Sequence, residues 1–209
     1  MLVDAPMNLQ GDLAWRDFDI PGGNMPVRTV RLHRDESSTT LLVAFPVGWE
    51  RPEVGAYEAA EEFILLEGGL RMSGAAYAEG DWVYVPAGAR RFATAAEPEA
   101  LALARFSGSA RWTAGAGRDI EIARGSVQGG NLQGSPFGVG SASLLHRAGG
   151  VASWVLDAPP AGSRMAFDTE LLALGDRFWA WVPASEPIPQ LDGRCFCRTF
   201  EARTTGGPA

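Results

Sequence analysis

FPVGWERPEVGAYEAAEEFILLEGG (Phe45–Gly69) and GDWVYVPAGARRF (Gly80–Phe92) decide the fold. Each reads as a run of β-branched and aromatic residues closed by glycine or proline, the composition of strands joined by tight turns. Gly48, Gly68, Gly80, Pro86 and Gly88 punctuate the stretch at the points where strands would have to turn. Working outward, MPVRTVRLHRD (Met25–Asp35) alternates apolar and polar residues with a period of two, as a half-buried strand does. TTLLVAFPVGW (Thr39–Trp49), EEFILLEGGLRM (Glu61–Met72) and EALALARF (Glu99–Phe106) add further strands. Helical periodicity is weak throughout, and AYEAAEEF is too short to hold a helix alone. The expected fold class is all-β.

Composition narrows the partners. The chain has 209 residues and a formal net charge of −7, and its basic residues are all arginine. A broad cationic face for nucleic acid is therefore not expected. No window approaches the roughly 18 apolar residues of a membrane span, and no basic stretch precedes an apolar one near Met1, so the expectation is a cytoplasmic protein without a membrane partner. Cys195 and Cys197 lie two apart on a predicted strand, a spacing of buried thiols and not of a zinc site or a disulfide framework.

The organisation expected from the chain is an N-terminal arm over 1–23, with Trp15 and Phe18 as anchors. This arm is laid over the barrel or lent to a neighbouring subunit. A strand-rich unit follows over 24–106, then a Gly/Ser-rich connection over 107–142 with one strand-like piece, DIEIA. A second half spans 143–202, and 203–209 form a tail. The second half repeats the first. The stretch from Val30 aligns with that from Ser143, placing His33 on His146, Arg34 on Arg147 and Gly48 on Gly162. EEFILLEG then matches TELLALGD, and VYVPA matches AWVPA. The second copy is shorter, and its loop after Gly162 carries only Asp168 and Glu170 as acids.

On these residues the chain resembles the cupin superfamily, whose first motif is glycine, five residues, histidine, one residue, histidine, three or four residues, glutamate, six residues, glycine. Its second motif is glycine, five residues, proline, one residue, glycine, two residues, histidine, three residues, asparagine. Gly48, Glu61 and Gly68 keep the first frame, and Gly80, Pro86 and Gly88 the second. The likeness covers about residues 15–106 well and 143–200 weakly, and is nearest to the cupin domain of ChrR-type anti-sigma factors and two-barrel relatives. It implies a double-stranded β-helix, or jelly-roll, barrel, in a bicupin whose second barrel is reduced. It also implies a homodimer paired through barrel-edge strands.

The metal ligands of the family pattern are replaced. Val54 and Ala56 stand at the paired histidine positions, or Gly55 and Tyr57 if the loop is shifted by one. Arg91 stands at the last histidine and Ala95 at the asparagine, and only Glu61 remains. One carboxylate beside a fixed cation is a poor donor set for a divalent metal, so no metal and no cofactor is expected. A guanidinium at that place suits a substrate carboxylate, phosphate or enolate oxygen, or else it pairs with Glu61 and only fills the place of the metal. The expected catalytic residues are Glu61 as general base or acid, Arg91 as electrophile and Tyr57 as a source of a phenolic proton, with Tyr84, Trp82 and Glu53 in contact with the substrate. The other acids of the first loop, Glu50, Glu58 and Glu62, read as an acidic mouth or a solvated rim. His33 and His146 read as surface or interface histidines.

Two functions stay open. One is a metal-independent enzyme isomerising, cyclising, epimerising or dehydrating a small organic substrate, including an anionic, secondary-metabolite-like one. The other is a non-catalytic small-ligand-binding or regulatory cupin. The zinc-binding helical domain of the anti-sigma family has no counterpart in the short arm, which lowers the regulatory reading.

Overall fold

The structure is a computed structural model describing residues 6–128, 133–134 and 141–201, the pair 133–134 by its backbone alone. It is all-β, and no helix occurs among the described residues, so none is long and apolar enough to cross a membrane. Two compact units divide the chain, one of Ala14–Gln128 and the other of Met1–Leu13 with Gly129–Ala209.

The first unit is built on two long antiparallel strands, Glu61–Met72 and Thr94–Phe106. Outward from Glu61–Met72 lie Asp81–Val85 and then Ala123–Ser126. On the other side, Thr39–Phe45, Val27–Arg34 and Arg16–Phe18 follow Thr94–Phe106. Short strands complete the mouth: Glu50–Arg51 pairs with Thr94–Ala95, and Gly55–Tyr57 pairs with Trp112–Ala114. Alternation sorts the side chains. Phe63, Leu65, Val83, Val85, Ala102 and Ala104 pack with Val27, Val43 and Trp49 into one core, while Ile64, Trp82 and Leu103 are just as fully buried on the opposite face. Strands apolar on both faces give the continuous hydrophobic runs seen in EEFILL and EALALARF.

The second unit is one seven-stranded antiparallel sheet. Its described core is formed by residues such as Trp154, Leu156, Leu171, Val182, Cys195 and Cys197. The internal repeat reappears in its hydrogen-bond register. Val27–Arg34 pairs with Thr39–Phe45 through a bulge that skips Leu32, and Ser141–Ala148 pairs with Val151–Asp157 through one that skips Leu145, each one residue before the repeated histidine. His33 is half-buried and lies 3.5 Å from Asp35.

Two segments differ from their sequence reading. The N-terminal stretch is no single arm: Met7–Asn8 extends the second unit's sheet beside Phe178–Trp179, whereas Arg16–Phe18 pairs with Val27–Thr29 in the first unit. The stretch taken as a connection is largely built into the first unit. DIEIA is not a strand there: within this unit the strands of the stretch are Trp112–Ala114 and Ala123–Ser126, and the second covers the open edge of Asp81–Val85, whose backbone groups would otherwise face solvent, while Ile120 and Ile122 pack against the core. The remainder of that stretch, through 142, and the 203–209 tail lie largely or wholly outside the described residues.

Gly68 is a sharp point of this fold. Its φ is +69°, and an added Cβ would lie 2.0 Å from the Glu99 carbonyl oxygen on the paired strand. Replacement by alanine combines left-handed backbone strain with a backbone clash. Gly68→Ala is expected to lower unfolding free energy by more than about 2 kcal/mol, read as a fall in the urea midpoint at unchanged slope. A variant as stable as the parent would contradict this geometry.

Candidate active site in the first barrel

The mouth of the first unit is assembled by short-range pairing. The Trp49 N–H donates to the Pro46 carbonyl, turning the chain so that Glu50–Arg51 lies antiparallel to Thr94–Ala95. That register sets Arg51 directly opposite Thr94, with Trp49 on the same side. Gly55 and Arg91 exchange both backbone hydrogen bonds, at 3.1 and 2.8 Å, which brings Arg91 beside Tyr57. Gly55 has to lack a side chain, because an added Cβ would lie 2.3 Å from the Trp112 indole.

Glu61, Tyr57, Arg91, Arg51, Trp49 and Thr94 line a common cavity of about 160 Å³. Leu41, Val43, Phe63 and Met72 supply apolar wall, and Phe18, Ile20 and Pro21 supply further wall near the N-terminal strand. Arg91 Nη1 donates to Glu61 Oε2 in a close ion pair. The Arg91 guanidinium also lies 4.8 Å from the centre of the Tyr57 ring. Arg51 is different. Its Nη1 donates to Tyr57 Oη at 3.2 Å and its guanidinium stacks 3.9 Å from the Trp112 ring centre, but among the described residues no carboxylate forms an ion pair with it. Burial pulls the Arg51 pKa down from its ordinary value, and the like charge of Arg91 adds to this, while Tyr57 and Glu61 oppose it. Burial also pushes the Tyr57 hydroxyl up, with the Glu61 charge adding and the two arginines opposing.

Of the six residues expected from sequence, three meet here: Glu61, Arg91 and Tyr57. Glu53 stands behind the wall and accepts a 2.6 Å hydrogen bond from Trp112 Nε1, so it fixes the indole that stacks on Arg51. Trp82 and Tyr84 alternate with the inward Val83 and Val85 and so point off the other face of the sheet, where Trp82 Nε1 donates to Glu62. Neither lines the cavity. Arg51, Trp49, Thr94 and Trp112 were not foreseen. Arg51 carried one faint signal, a lone cation two residues from Trp49 in a loop otherwise acidic.

The donor set does not fit the metal of the cupin pattern. The cavity offers one carboxylate, already bound to Arg91, and two guanidinium groups that repel a divalent cation. Among the described residues no three of His, Cys, Asp and Glu come together.

No family model matches the chain, and no curated protein does. Solved structures do match. The chain is similar to a candidate dioxygenase from Nostoc punctiforme, at 15% identity and TM-score 0.76 over 97% of this chain and 84% of that one. It is similar to a cupin 2 conserved barrel domain protein from Leptotrichia buccalis, at 10% identity and TM-score 0.59 over 96% and 98%. Oxalate decarboxylase from Bacillus subtilis is a third, at 12% identity and TM-score 0.51 over 96% and 78%. The likeness establishes the fold: this is a cupin-fold chain of jelly-roll type. Its structural neighbours include proteins named as enzymes and plain barrel domains.

Burial has a consequence for the response to alkali. Tyr57, Tyr77 and Tyr84 are each pushed above their ordinary 10.0, by burial first. Cys195 is pushed from 9.0 up to about 12 and Cys197 is raised as well. These acids stay protonated in the fold and ionise sooner in the unfolded chain, so their contribution is complete below their unfolded values and is lost as pH rises beyond them. The urea midpoint is expected to hold up to about pH 9 and fall steadily above it. Ionisation of the buried Tyr57 and Tyr77 should appear together with unfolding, after that of the half-buried Tyr84; all three tyrosines ionising near pH 10 in an intact fold would contradict the burial of Tyr57 and Tyr77.

Proposed function

We propose that the first barrel is a metal-independent acid–base enzyme acting on a small organic substrate by isomerisation, cyclisation, epimerisation or dehydration. The observation that supports this reading is that the Glu61 carboxylate and the Tyr57 hydroxyl line the same cavity as two guanidinium groups.

A carbon acid next to a carbonyl loses its proton to Glu61, and the electron pair moves to the carbonyl oxygen. As Glu61 becomes neutral, the Arg91 guanidinium that it held is released to the new oxyanion, so positive charge meets negative charge before and after the step. Glu61 then returns the proton at another face or atom, or Tyr57 supplies one, which gives epimerisation or isomerisation. Alternatively the enolate expels a β-hydroxyl, which leaves as water by taking the proton that Glu61 carries, and this gives dehydration. The apolar wall keeps the effective dielectric low, which strengthens the contact between Arg91 and the oxyanion.

The test is deuterium exchange in D2O, followed by proton NMR, on short 2-oxo, 3-oxo and 3-hydroxy acids that bind the protein. Exchange of the C–H next to the carbonyl is expected about 100-fold or more above the protein-free rate. Glu61→Gln should return it to background, and EDTA should leave it unchanged. If acids bind and none exchanges, the non-catalytic ligand-binding reading replaces this one; exchange abolished by EDTA would also refute it.

A further inference from the structure

Arg51 raises a separate question, because Glu61 answers only one of the two buried arginines. Arg51 and Arg91 are each 3% exposed, and the ion pair of the cavity joins Glu61 to Arg91 alone. Tyr57 is held neutral, so among the described residues the two guanidinium groups and the Glu61 carboxylate leave the lining with one net positive charge. Four buried polar atoms on the same wall have no hydrogen-bond partner in the protein: Arg51 Nε, Arg91 Nε, Thr94 Oγ1 and Trp49 Nε1. Thr94 and Trp49 are 4% and 1% exposed, so neither is satisfied by the bulk. A buried charge without a counter-charge and a cluster of unmet donors are each destabilising, and they coincide at one place.

Resting on the reading of this cavity as a ligand site, we infer that Arg51 is its carboxylate anchor. The ligand class is a monoanion with one carboxylate and an apolar body. A single negative charge brings the lining to neutrality; a dianion would overshoot and a neutral amide would leave Arg51 unanswered. Thr94 stands opposite Arg51 in register, the Arg51 guanidinium lies over the Trp112 ring at 3.9 Å, and its Nη1 is held by the Tyr57 hydroxyl at 3.2 Å. A planar fork fixed in this way matches a carboxylate through two parallel bonds. The apolar wall of Leu41, Val43, Phe63 and Met72 receives the rest of the molecule. A volume of about 160 Å³ is close to that of cavities which take one benzene, which sets the ligand at roughly six to eight non-hydrogen atoms. Glu61, tied to Arg91, is left to act on the part of the ligand distant from its carboxylate.

Titration calorimetry of the purified chain with butyrate, its neutral isostere butyramide and the dianion succinate tests this. Butyrate is expected to bind at least about 10-fold more tightly than either. Arg51→Met should lose butyrate binding by about 10-fold or more, yet melt higher than the parent in the absence of ligand, since an uncompensated buried charge has been replaced by an apolar group of similar length. Arg51→Lys should keep a preference for butyrate over butyramide, with weaker affinity. Equal affinity for butyrate and butyramide, tighter succinate binding, or undiminished butyrate binding by Arg51→Met overturns the assignment. An Arg51→Met protein that melts lower than the parent, or does not fold, overturns it too, because Arg51 is then structural. Butyrate binding that persists where no acid exchanges deuterium refutes the enzyme reading and leaves this one standing.

Discussion

A guanidinium enclosed in an apolar barrel must be met by something, and much of the first unit's mouth is arranged around that requirement. Two such groups enter the cavity, Arg51 from the short strand Glu50–Arg51 and Arg91 from a single bridge to Gly55, and the lining supplies one carboxylate. The remaining cation is held by weaker means. It lies 3.9 and 5.5 Å from the ring centres of Trp112 and Tyr57, and one nitrogen donates to the Tyr57 hydroxyl. Cation–π contacts of this kind contribute on the order of 1–2 kcal/mol when desolvated, less than the several kcal/mol that an unpaired buried ion costs. The surplus cost is what makes the cavity a receptor for negative charge instead of a packing defect.

The second buried polar cluster shows how a balanced site looks in the same fold. Glu170 accepts from Trp179 Nε1 at 2.7 Å and from Arg198 Nη1 at 2.6 Å, and all three residues are at most 1% exposed. The register places Arg198 directly across from Glu170. In the first unit Arg105 stands across from Glu62 in the same way, and Trp82 Nε1 donates to Glu62. The aligned segments of the repeat thus carry Glu, Trp and Arg at matching places, one charge of each sign. This is why Trp82 and Tyr84 belong to the architecture of the sheet: their neighbours are those of the repeat, whereas Glu61, Arg91 and Arg51 have no counterparts that meet in the second unit.

Much of the barrel was legible in the sequence because its turns demand particular residues. Gly48, Gly80 and Gly88 have positive φ, from +72° to +85°, and mark turns close to strand ends, whereas Gly68, also at positive φ, lies inside Glu61–Met72 opposite Ala100, where the pairing breaks register and the strand does not end. Glu61, Arg91 and Tyr57 were legible through the same frame, since a position fixed relative to a turn is fixed in space. Arg51 falls between motif positions, and its role arises from pairing with Thr94, more than forty residues later. Trp112 lay hidden in a Gly/Ser-rich stretch, where composition suggests a linker and only long-range pairing with Tyr57 reveals a strand. Local pattern cannot carry such information, because the partner strand is chosen by tertiary packing. Trp82 and Tyr84 are two apart on Asp81–Val85 and so share one face, but alternation alone does not say which face is inward.

The charge count connects the cavity to the pattern it departs from. In the cupin motif three neutral imidazoles and one carboxylate surround a divalent cation, and the cluster has a net charge of +1. Here two guanidinium groups and the Glu61 carboxylate also sum to +1. The electrostatic demand on a ligand is therefore similar, while the chemistry is not. A guanidinium has no open coordination position and binds no oxygen covalently, and its donors point in fixed directions. What remains to such a site is to orient an anion, to stabilise negative charge where it develops and to move a proton. In the proposed mechanism those tasks would fall to different groups: Arg51 would hold the anion, Arg91 would follow the charge, and Glu61 would exchange its partner for a proton.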